Sequence, residues 1–276
     1  MMLTALAAMM AFAQRGRRAT PAGNLDQHSL AIAFTAGGLG ALFILSLLVL
    51  KNKMTAQRAT HTSHAPEPVL KCICARRSVF PRSYVAQTVA PAKLSRMLEA
   101  AMWAPYHGSV PPWRFVVLGK QAMADMQRMT LAFYDAYWRE TGWANGKSGT
   151  EAEYLKWRTM TEEEIDGRWG PVSFMVAVVM RRQAGSKRIP EWEEAAATAC
   201  AVQNMHLQAS TDPGLACYWS SWHDAARDSK AMRDFLKMGS EDRCLGFFIV
   251  AACAPAMQTA SRMRRPETHL SVEWRE

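Results

Sequence analysis

The sequence lacks the cysteine and histidine patterns that bind structural metal ions. Its 276 residues include six cysteines, but no two have the spacing Cys-x-x-Cys and no histidine stands at a zinc-site distance from them. The only close pair, Cys72 and Cys74, lies in a polar stretch, whereas the other four lie in apolar runs. We therefore expect no metal, reduced thiols, and an exposed Cys72–Cys74 pair rather than a redox centre.

A concentrated basic surface is also missing from most of the chain. The net charge is +9, and +5 of it falls in residues 1–75, where Asp26 and Glu67 are the only acids. The other 201 residues carry +4 with both signs interspersed, which argues against a nucleic-acid partner. No GxGxxG follows a predicted strand, so nicotinamide has no dedicated fingerprint here. An apolar content of 49% excludes a largely disordered protein.

Charge is absent from residues 30–50, which precede Lys51. At a rise of 1.5 Å per residue a helix of this length measures about 31 Å, enough to cross a hydrocarbon core of roughly 30 Å. We expect a single membrane span here rather than a buried core helix. Residues 1–29 then form either an organellar presequence or a short tail before a signal anchor, so a mitochondrial or plastid location stays open. Residues 51–70 form a linker.

The folded domain is expected over residues 71–276, where helical and strand patterns alternate. The periodicity predicts helices at 92–103, 121–140, 191–210 and 224–237, and strands at 114–118, 172–180, 215–220 and 244–252. Between them, residues 141–170 are charged and rich in glycine and tryptophan, and no element boundaries are assigned there.

One motif at the start of the domain has the chemistry of a phosphate site. Arg76, Arg77 and Ser78 place two guanidinium groups and a hydroxyl side by side, and these donors can bind a phosphate through several charge-assisted hydrogen bonds. Taken alone, a basic pair of this kind is common on protein surfaces.

Further residues place this motif in a larger pattern. Some 25 residues later follow Trp103-Ala-Pro105-Tyr-His107 and then Pro112-Trp113-Arg114-Phe115. Together these residues resemble the FMN-dependent nitroreductase family, whose members open with R-R-S and carry an A-P-x-H or A-P-S-x-N turn before P-W-x-F-V-V. More matches occur in order at residues 189–193, 195–207, 214–221 and 242–248, so the resemblance covers about residues 73–272.

The resemblance implies an α+β nitroreductase-like flavoprotein fold, a central sheet flanked by helices, and an intertwined homodimer with one FMN at each subunit boundary. It implies that Arg76, Arg77 and Ser78 hold the FMN phosphate and ribityl chain, while two other segments lie along the ring. The cofactor-binding residues expected on this basis are Arg76, Arg77, Ser78, Trp103, His107, Trp219, Ser220, Ser221, Arg262 and Arg264, of which the last two reach the partner subunit's flavin.

The sequence departs from the family pattern at two places. Ser109, Val110 and Pro111 stand where many relatives have an Asn or Gln before Pro-Trp, so a polar contact to the flavin is missing or is replaced by His107. Ser220 stands where several relatives have an arginine or a threonine. His107 has an alternative role as a cap of the preceding helix, and we interpret His206 as a packing or interface residue.

The family chemistry implies an oxidoreductase in which FMN receives a hydride from NADH or NADPH and passes it to a small electron-poor acceptor, such as a nitroaromatic or a quinone. No catalytic side chain is required. An alternative is a membrane-anchored reductive dehalogenase resembling iodotyrosine deiodinase, although only Glu151, Glu153 and Tyr154 approximate its lid motif. A second alternative is a flavin-binding membrane protein without turnover.

Overall fold

The computed structural model describes residues 68–144, 146–185, 188–255, 257 and 270–275. The predicted span at 30–50, the segment before it, most of the linker, and both Arg262 and Arg264 lie outside the described residues. In the part that is described, no helix combines the length and the apolar character needed to span a membrane.

The described residues form a mixed structure of helices and strands in a fixed order. The helices are α1 (Pro68–Ala75), α2 (Pro91–Ala101), α3 (Lys120–Thr141), α4 (Glu151–Gly167), α5 (Glu191–Ala209), α6 (Asp224–Arg227) and α7 (Lys230–Phe235). The strands are β1 (Tyr84–Val85), β2 (Trp113–Leu118), β3 (Val172–Met180), β4 (Leu215–Ser220) and β5 (Arg243–Cys253).

The strands form one antiparallel sheet in which β5 lies between β3 and β4, and β2 pairs with the other side of β3. The short strand β1 pairs with the last two residues of β5. On β4, Cys217 is opposite Val250 and Ser220 is opposite Phe247. The end of β4 is therefore fixed by pairing with β5.

Both faces of the sheet are covered, which explains why β3 and β5 are apolar at almost every position. One face of β3, with Val176 and Val178, packs with Met97 of α2 and Met205 of α5. The opposite face, which includes Met175 of β3, packs against residues of α3 and α7. This arrangement places α2 and α5 on one side of the sheet and α3 on the other.

Three helical regions differ from the sequence expectation. Residues 224–237 form two short helices rather than one, because the hydroxyl of Ser229 accepts a hydrogen bond from the amide of Met232 (3.2 Å) and begins α7 there. Helix α4 lies in the stretch without assigned elements, and Thr150 and Glu153 form a capping box at its start. Helix α1 begins at Pro68, inside the predicted linker.

Candidate functional site

The segment Arg76-Arg77-Ser78 follows α1 and runs toward β4. The amide of Val79 donates to the carbonyl oxygen of Cys217 at 3.1 Å, which fixes the segment beside the middle of that strand. One residue further, the rings of Phe80 and Tyr218 lie with their centroids 5.0 Å apart. The two predicted phosphate-binding arginines are thus held next to the strand that ends at Ser220.

A buried histidine on α5 holds this segment in place. Nε2 of His206 donates to the carbonyl oxygen of Arg77 at 2.8 Å, so Nδ1 is the acceptor that faces Nη1 of Arg76 at 3.5 Å. Burial is the main cause that lowers the pKa of His206 to about 4, and the nearby Arg76 charge lowers it further. At neutral pH the imidazole is therefore uncharged and can accept from the Arg76 guanidinium.

Arg76 and Arg77 are half-buried, and Ser78 is exposed. Nη1 of Arg77 donates to the carbonyl oxygens of Cys74 at 2.5 Å and of Arg76 at 2.9 Å. These contacts hold positive charge close to the end of α1 while the segment remains open to solvent. The phosphate-binding role of Arg76 and Arg77 stays a prediction, and the contact of His206 with this segment was missed from the sequence.

The end of β4 carries the predicted ring-lining residues in a strained turn. The hydroxyl of Ser220 accepts from the amide of Trp222 at 3.1 Å, and Nη1 of Arg227 donates to the carbonyl oxygen of Ser221 at 2.9 Å. Trp222 has φ +61°, a left-handed conformation that a bulky residue rarely adopts. Backbone strain of this kind is concentrated at functional sites in proteins. On β4 itself, Nε1 of Trp219 donates to the carbonyl oxygen of Leu245 at 2.9 Å.

The loop after α2 contains the other predicted group, Trp103 and His107. Trp103 is 82% exposed. Nδ1 of His107 lies 3.1 Å from Oε2 of Glu193, close to the start of α5. A groove of about 530 Å³ beside His107 is lined by Trp192, Glu193 and neighbouring residues of α5.

The two groups of predicted site residues are separated along α5. Glu193, which contacts His107, and His206, which contacts Arg76 and Arg77, are 13 residues apart in the sequence, which corresponds to about 20 Å along a helix. One chain therefore brings Arg76, Arg77, Ser78 and the Trp219–Ser221 segment to one region, and places His107 at the other end of the helix.

A pocket of about 290 Å³ lies between α3, α4 and the turn after β4. Its wall includes Ser220 and the aromatic side chains of Trp157, Trp169, Tyr218 and Trp222. Within the described part of the chain, Nε2 of Gln127 and Nδ1 of His223 are buried there and have no hydrogen-bond partner. The sequence analysis missed both residues, since a glutamine on a buried helix face gives no recognisable motif.

Comparison with known proteins decides the family. The model of the nitroreductase family matches residues 73–252. The chain belongs to the nitroreductase family. It is 22% identical over 172 residues to a Haemophilus influenzae protein described as an NAD(P)H nitroreductase, and the match covers 62% of this chain and 79% of that protein. We therefore assign this family member as an oxidoreductase.

Solved structures of the nitroreductase family have the same fold. A nitroreductase-like family protein from Bacillus cereus is 19% identical, with a TM-score of 0.53 over 77% of this chain and 99% of that one. A single-residue variant of the FMN and NADPH-dependent nitroreductase NfnB from sphigopyxis sp. strain HMH is 18% identical, with a TM-score of 0.51 over 74% and 97% of the two chains. The predicted α+β nitroreductase-like fold is confirmed.

Proposed function

We propose that this protein is an FMN-dependent oxidoreductase that takes a hydride from NADH or NADPH and delivers it to a small electron-poor acceptor such as a nitroaromatic or a quinone. The observation that carries the proposal is the segment Arg76–Ser78, anchored by the neutral imidazole of His206 beside the strand that ends at Ser220. The relative NfnB, described as FMN and NADPH-dependent, supports the choice of cofactor.

The residues of the segment fit a phosphate group. Two adjacent guanidiniums and the exposed hydroxyl of Ser78 supply donors and positive charge, which suit the dianionic phosphate of FMN. His206 contributes no charge at neutral pH and thus leaves the positive potential to Arg76 and Arg77. In this proposal Arg262 and Arg264 complete the phosphate site of the partner subunit.

The remaining ring contacts come from a second copy of the chain. Because His107 lies about 20 Å along α5 from the Arg76–Arg77 segment, we assign the loop of Trp103 and His107 to the flavin of a second chain rather than to the flavin held by that segment. The exposed Trp103 and Trp192, together with Ala196 and Cys200, supply an apolar surface beside His107. In the proposed homodimer, this surface packs against the end of the partner's α5 that lies next to the Arg76–Arg77 segment. Two such contacts, related by symmetry, complete two equivalent sites.

When bound, FMN supplies the redox chemistry by accepting a hydride and passing it on. In this proposal Arg76, Arg77 and Ser78 hold the phosphate. The segment Trp219–Ser221 lines the ring. The aromatic side chains of the pocket between α3 and α4 limit the access of water. No nucleophilic side chain takes part.

The dehalogenase alternative ranks second because of Tyr154. Its hydroxyl donates to Oδ1 of Asp135 at 2.6 Å and its side chain is only 3% exposed, so it is occupied inside the protein. Halide release from a halotyrosine by the purified protein would reverse this ranking.

The membrane span at residues 30–50 remains part of the proposal. It rests on the length and the lack of charge of that segment. Fractionation of cells that express the full chain tests it. We expect the protein to stay with the membranes during an alkaline carbonate wash and to dissolve in detergent, and release by carbonate alone contradicts the anchor.

An absorbance spectrum of the purified full-length protein tests the proposed function. We expect flavin bands at about one FMN per chain, loss of these bands on anaerobic addition of NADH or NADPH, and their return when a quinone is added. A protein that binds no FMN when it is supplied contradicts the proposal. Protein that keeps FMN but is not reduced by either nicotinamide supports the flavin-binding alternative without turnover.

A further inference from the structure

Helix α1 leaves its apolar side chains on the surface of the domain. Val69, Leu70 and Ile73 are 71%, 50% and 45% exposed, and no residue of this helix is buried. At 3.6 residues per turn these three side chains fall within one arc of about 100°. A single exposed apolar residue is ordinary, but three on one face of a short helix indicate a surface that an apolar partner covers.

Another side of α1 is attached to the end of α5. The thiol of Cys72 donates to the carbonyl oxygen of Leu207 at 3.6 Å, and its sulfur lies 3.7 Å from Oγ of Ser210. Cys72 falls outside the arc that contains the three exposed apolar side chains. The apolar face of α1 is therefore not the face that holds this helix against the domain.

The chain around α1 is strongly basic. Residues 51–98 contain nine lysine and arginine residues and a single acid, so they carry +8 of the net charge of +9. Lys71 belongs to α1 itself and is exposed. Lys93 and Arg96 of α2 line a small pocket together with Gln208 at the end of α5. Positive charge therefore surrounds the same end of α5 to which α1 is attached.

Two of these cations have no carboxylate partner in the described part of the chain. Lys93 pairs with Asp212 at 2.7 Å. Among the described residues, Lys71 and Arg96 form no ion pair, and both are exposed. Exposed apolar side chains next to unpaired positive charge complement an anionic lipid surface, because the apolar groups enter the boundary of the acyl chains while the cations stay among the headgroups.

The chain before α1 favours a bilayer over a protein partner. Residues 30–50, which carry no charge, are the predicted membrane span, and residues 51–67 connect them to α1. A flexible chain of this length has an average end-to-end distance of about 23 Å. A tether of this length keeps α1 close to the membrane surface, where even a weak contact persists.

We propose that α1 lies on the surface of an anionic lipid bilayer, with Val69, Leu70 and Ile73 at the boundary of the acyl chains and Lys71 among the headgroups. The contact turns the end of α5 toward the membrane and so orients the folded domain. It goes beyond the proposed oxidoreductase, because it requires neither FMN nor turnover.

Hydrogen–deuterium exchange of the full-length protein, read by mass spectrometry, tests this contact. The protein is compared in detergent, in phosphatidylcholine vesicles, and in vesicles that also contain phosphatidylserine. We expect the amides of α1 to exchange at least about tenfold more slowly with phosphatidylserine than in detergent, and less slowly with phosphatidylcholine alone. Equal exchange in the two kinds of vesicle overturns the inference. Slow exchange already in detergent, which becomes faster on dilution, means that a second copy covers α1 and overturns it too.

Two variants of α1 and one control make the test specific. Val69→Gln combined with Leu70→Gln and Ile73→Gln removes the apolar face, so we expect the lipid effect to disappear at an unchanged melting temperature, since none of the three is buried. Lys71→Gln should reduce the difference between the two kinds of vesicle by about fivefold. Leu155→Gln is the matched control, because Leu155 is 54% exposed on α4. Wild-type protection in the triple variant contradicts the assigned contact.

The carbonate wash separates this inference from the predicted span. Protein that is released by carbonate, but whose α1 is protected by phosphatidylserine vesicles, supports the surface contact and contradicts the span. Protein that stays with the membranes, but whose α1 exchanges equally in detergent and in both kinds of vesicle, overturns this inference alone.

Discussion

Nε2 of His206 donates to the carbonyl oxygen of Arg77 at 2.8 Å, and this bond joins two segments that are 129 positions apart in the sequence. The acceptor is a backbone atom, so the contact fixes the path of the chain between α1 and β4 rather than the position of one side chain. The orientation of both arginines then depends on a histidine that carries no charge at neutral pH.

His206 makes the stability of the fold dependent on pH. Its pKa is about 4 in the folded protein and about 6.5 in an unfolded chain, so the unfolded state binds more protons between these values. The stabilisation is fully present above pH 6.5 and decreases as the pH falls toward 4. We expect His206 to contribute a loss of about 2 kcal/mol between pH 7.5 and pH 5, measured as the free energy of unfolding in urea.

Two glutamine substitutions isolate this contribution. Gln does not titrate, so the His206→Gln variant is expected to lose most of this pH dependence while keeping an amide donor for the Arg77 carbonyl. His107→Gln replaces an exposed histidine and is expected to keep the wild-type dependence. Equal pH profiles for the wild type and His206→Gln contradict the role of His206.

A buried ion pair anchors the start of α5. Glu194 is fully buried, its Oε2 contacts Nη1 of Arg182, and its Oε1 accepts from the amide of Gln183 at 3.0 Å. Glu194→Ala leaves a largely buried guanidinium without this acceptor, so we expect a loss of about 3–5 kcal/mol in the free energy of unfolding. Glu241→Ala breaks the more exposed pair with Arg188 and should cause little change. A small effect of Glu194→Ala contradicts this account.

Much of the fold was predictable because the central strands are buried on both faces. Such strands appear as unbroken apolar runs, and the predicted strands 172–180 and 215–220 match β3 and β4 at both ends. The sequence of α4, in contrast, gives little indication of a helix. It buries only Tyr154, and its polar composition hides the helix apart from the capping box at Thr150. Helix α1 has no buried residue at all.

The candidate site was predictable only in part. Arg76, Arg77 and Ser78 form a local motif that suits a phosphate, and this motif gains weight only through the resemblance to the nitroreductase family. His206 contacts that motif from α5, which is far away in the sequence. A histidine among apolar residues of a helix indicates a packing role more readily than a role in positioning another segment. Nε2 of Gln127, which is buried and has no partner among the described residues, can be found only when α3, α4 and the turn at His223 are placed together.

Gly246 controls the position of Ser220. It has φ +106°, and a Cβ atom added there would lie 2.1 Å from the carbonyl oxygen of Ser220. The backbone conformation alone makes Gly246→Ala destabilising by about 1–3 kcal/mol, and the clash displaces Ser220, so we expect weaker FMN binding as well. Thermal unfolding and FMN titration measure the two effects.

Gly167→Ala is the control for this substitution. A Cβ atom at Gly167 meets nothing within 4 Å, and this residue is the last of α4. We expect it to leave FMN affinity unchanged and to increase stability slightly, by up to about 1 kcal/mol, because alanine favours a helix more than glycine does. If Gly246→Ala changed stability and FMN affinity as little as this control, the close approach to Ser220 would matter for neither quantity.

Arg76 is expected to contribute directly to the affinity for FMN. A charge-assisted hydrogen bond contributes about 1.5–3 kcal/mol, so Arg76→Ala should raise the dissociation constant of FMN by about 10- to 150-fold. Combined with Arg264→Ala, the loss should be larger, because that arginine is proposed to reach the same kind of phosphate site from the other subunit. Arg128→Ala is the matched control, since Arg128 is exposed on α3 and pairs with Asp125 at 3.1 Å. FMN fluorescence titration distinguishes these cases, and an unchanged affinity in the double variant removes the phosphate assignment while leaving the fold intact.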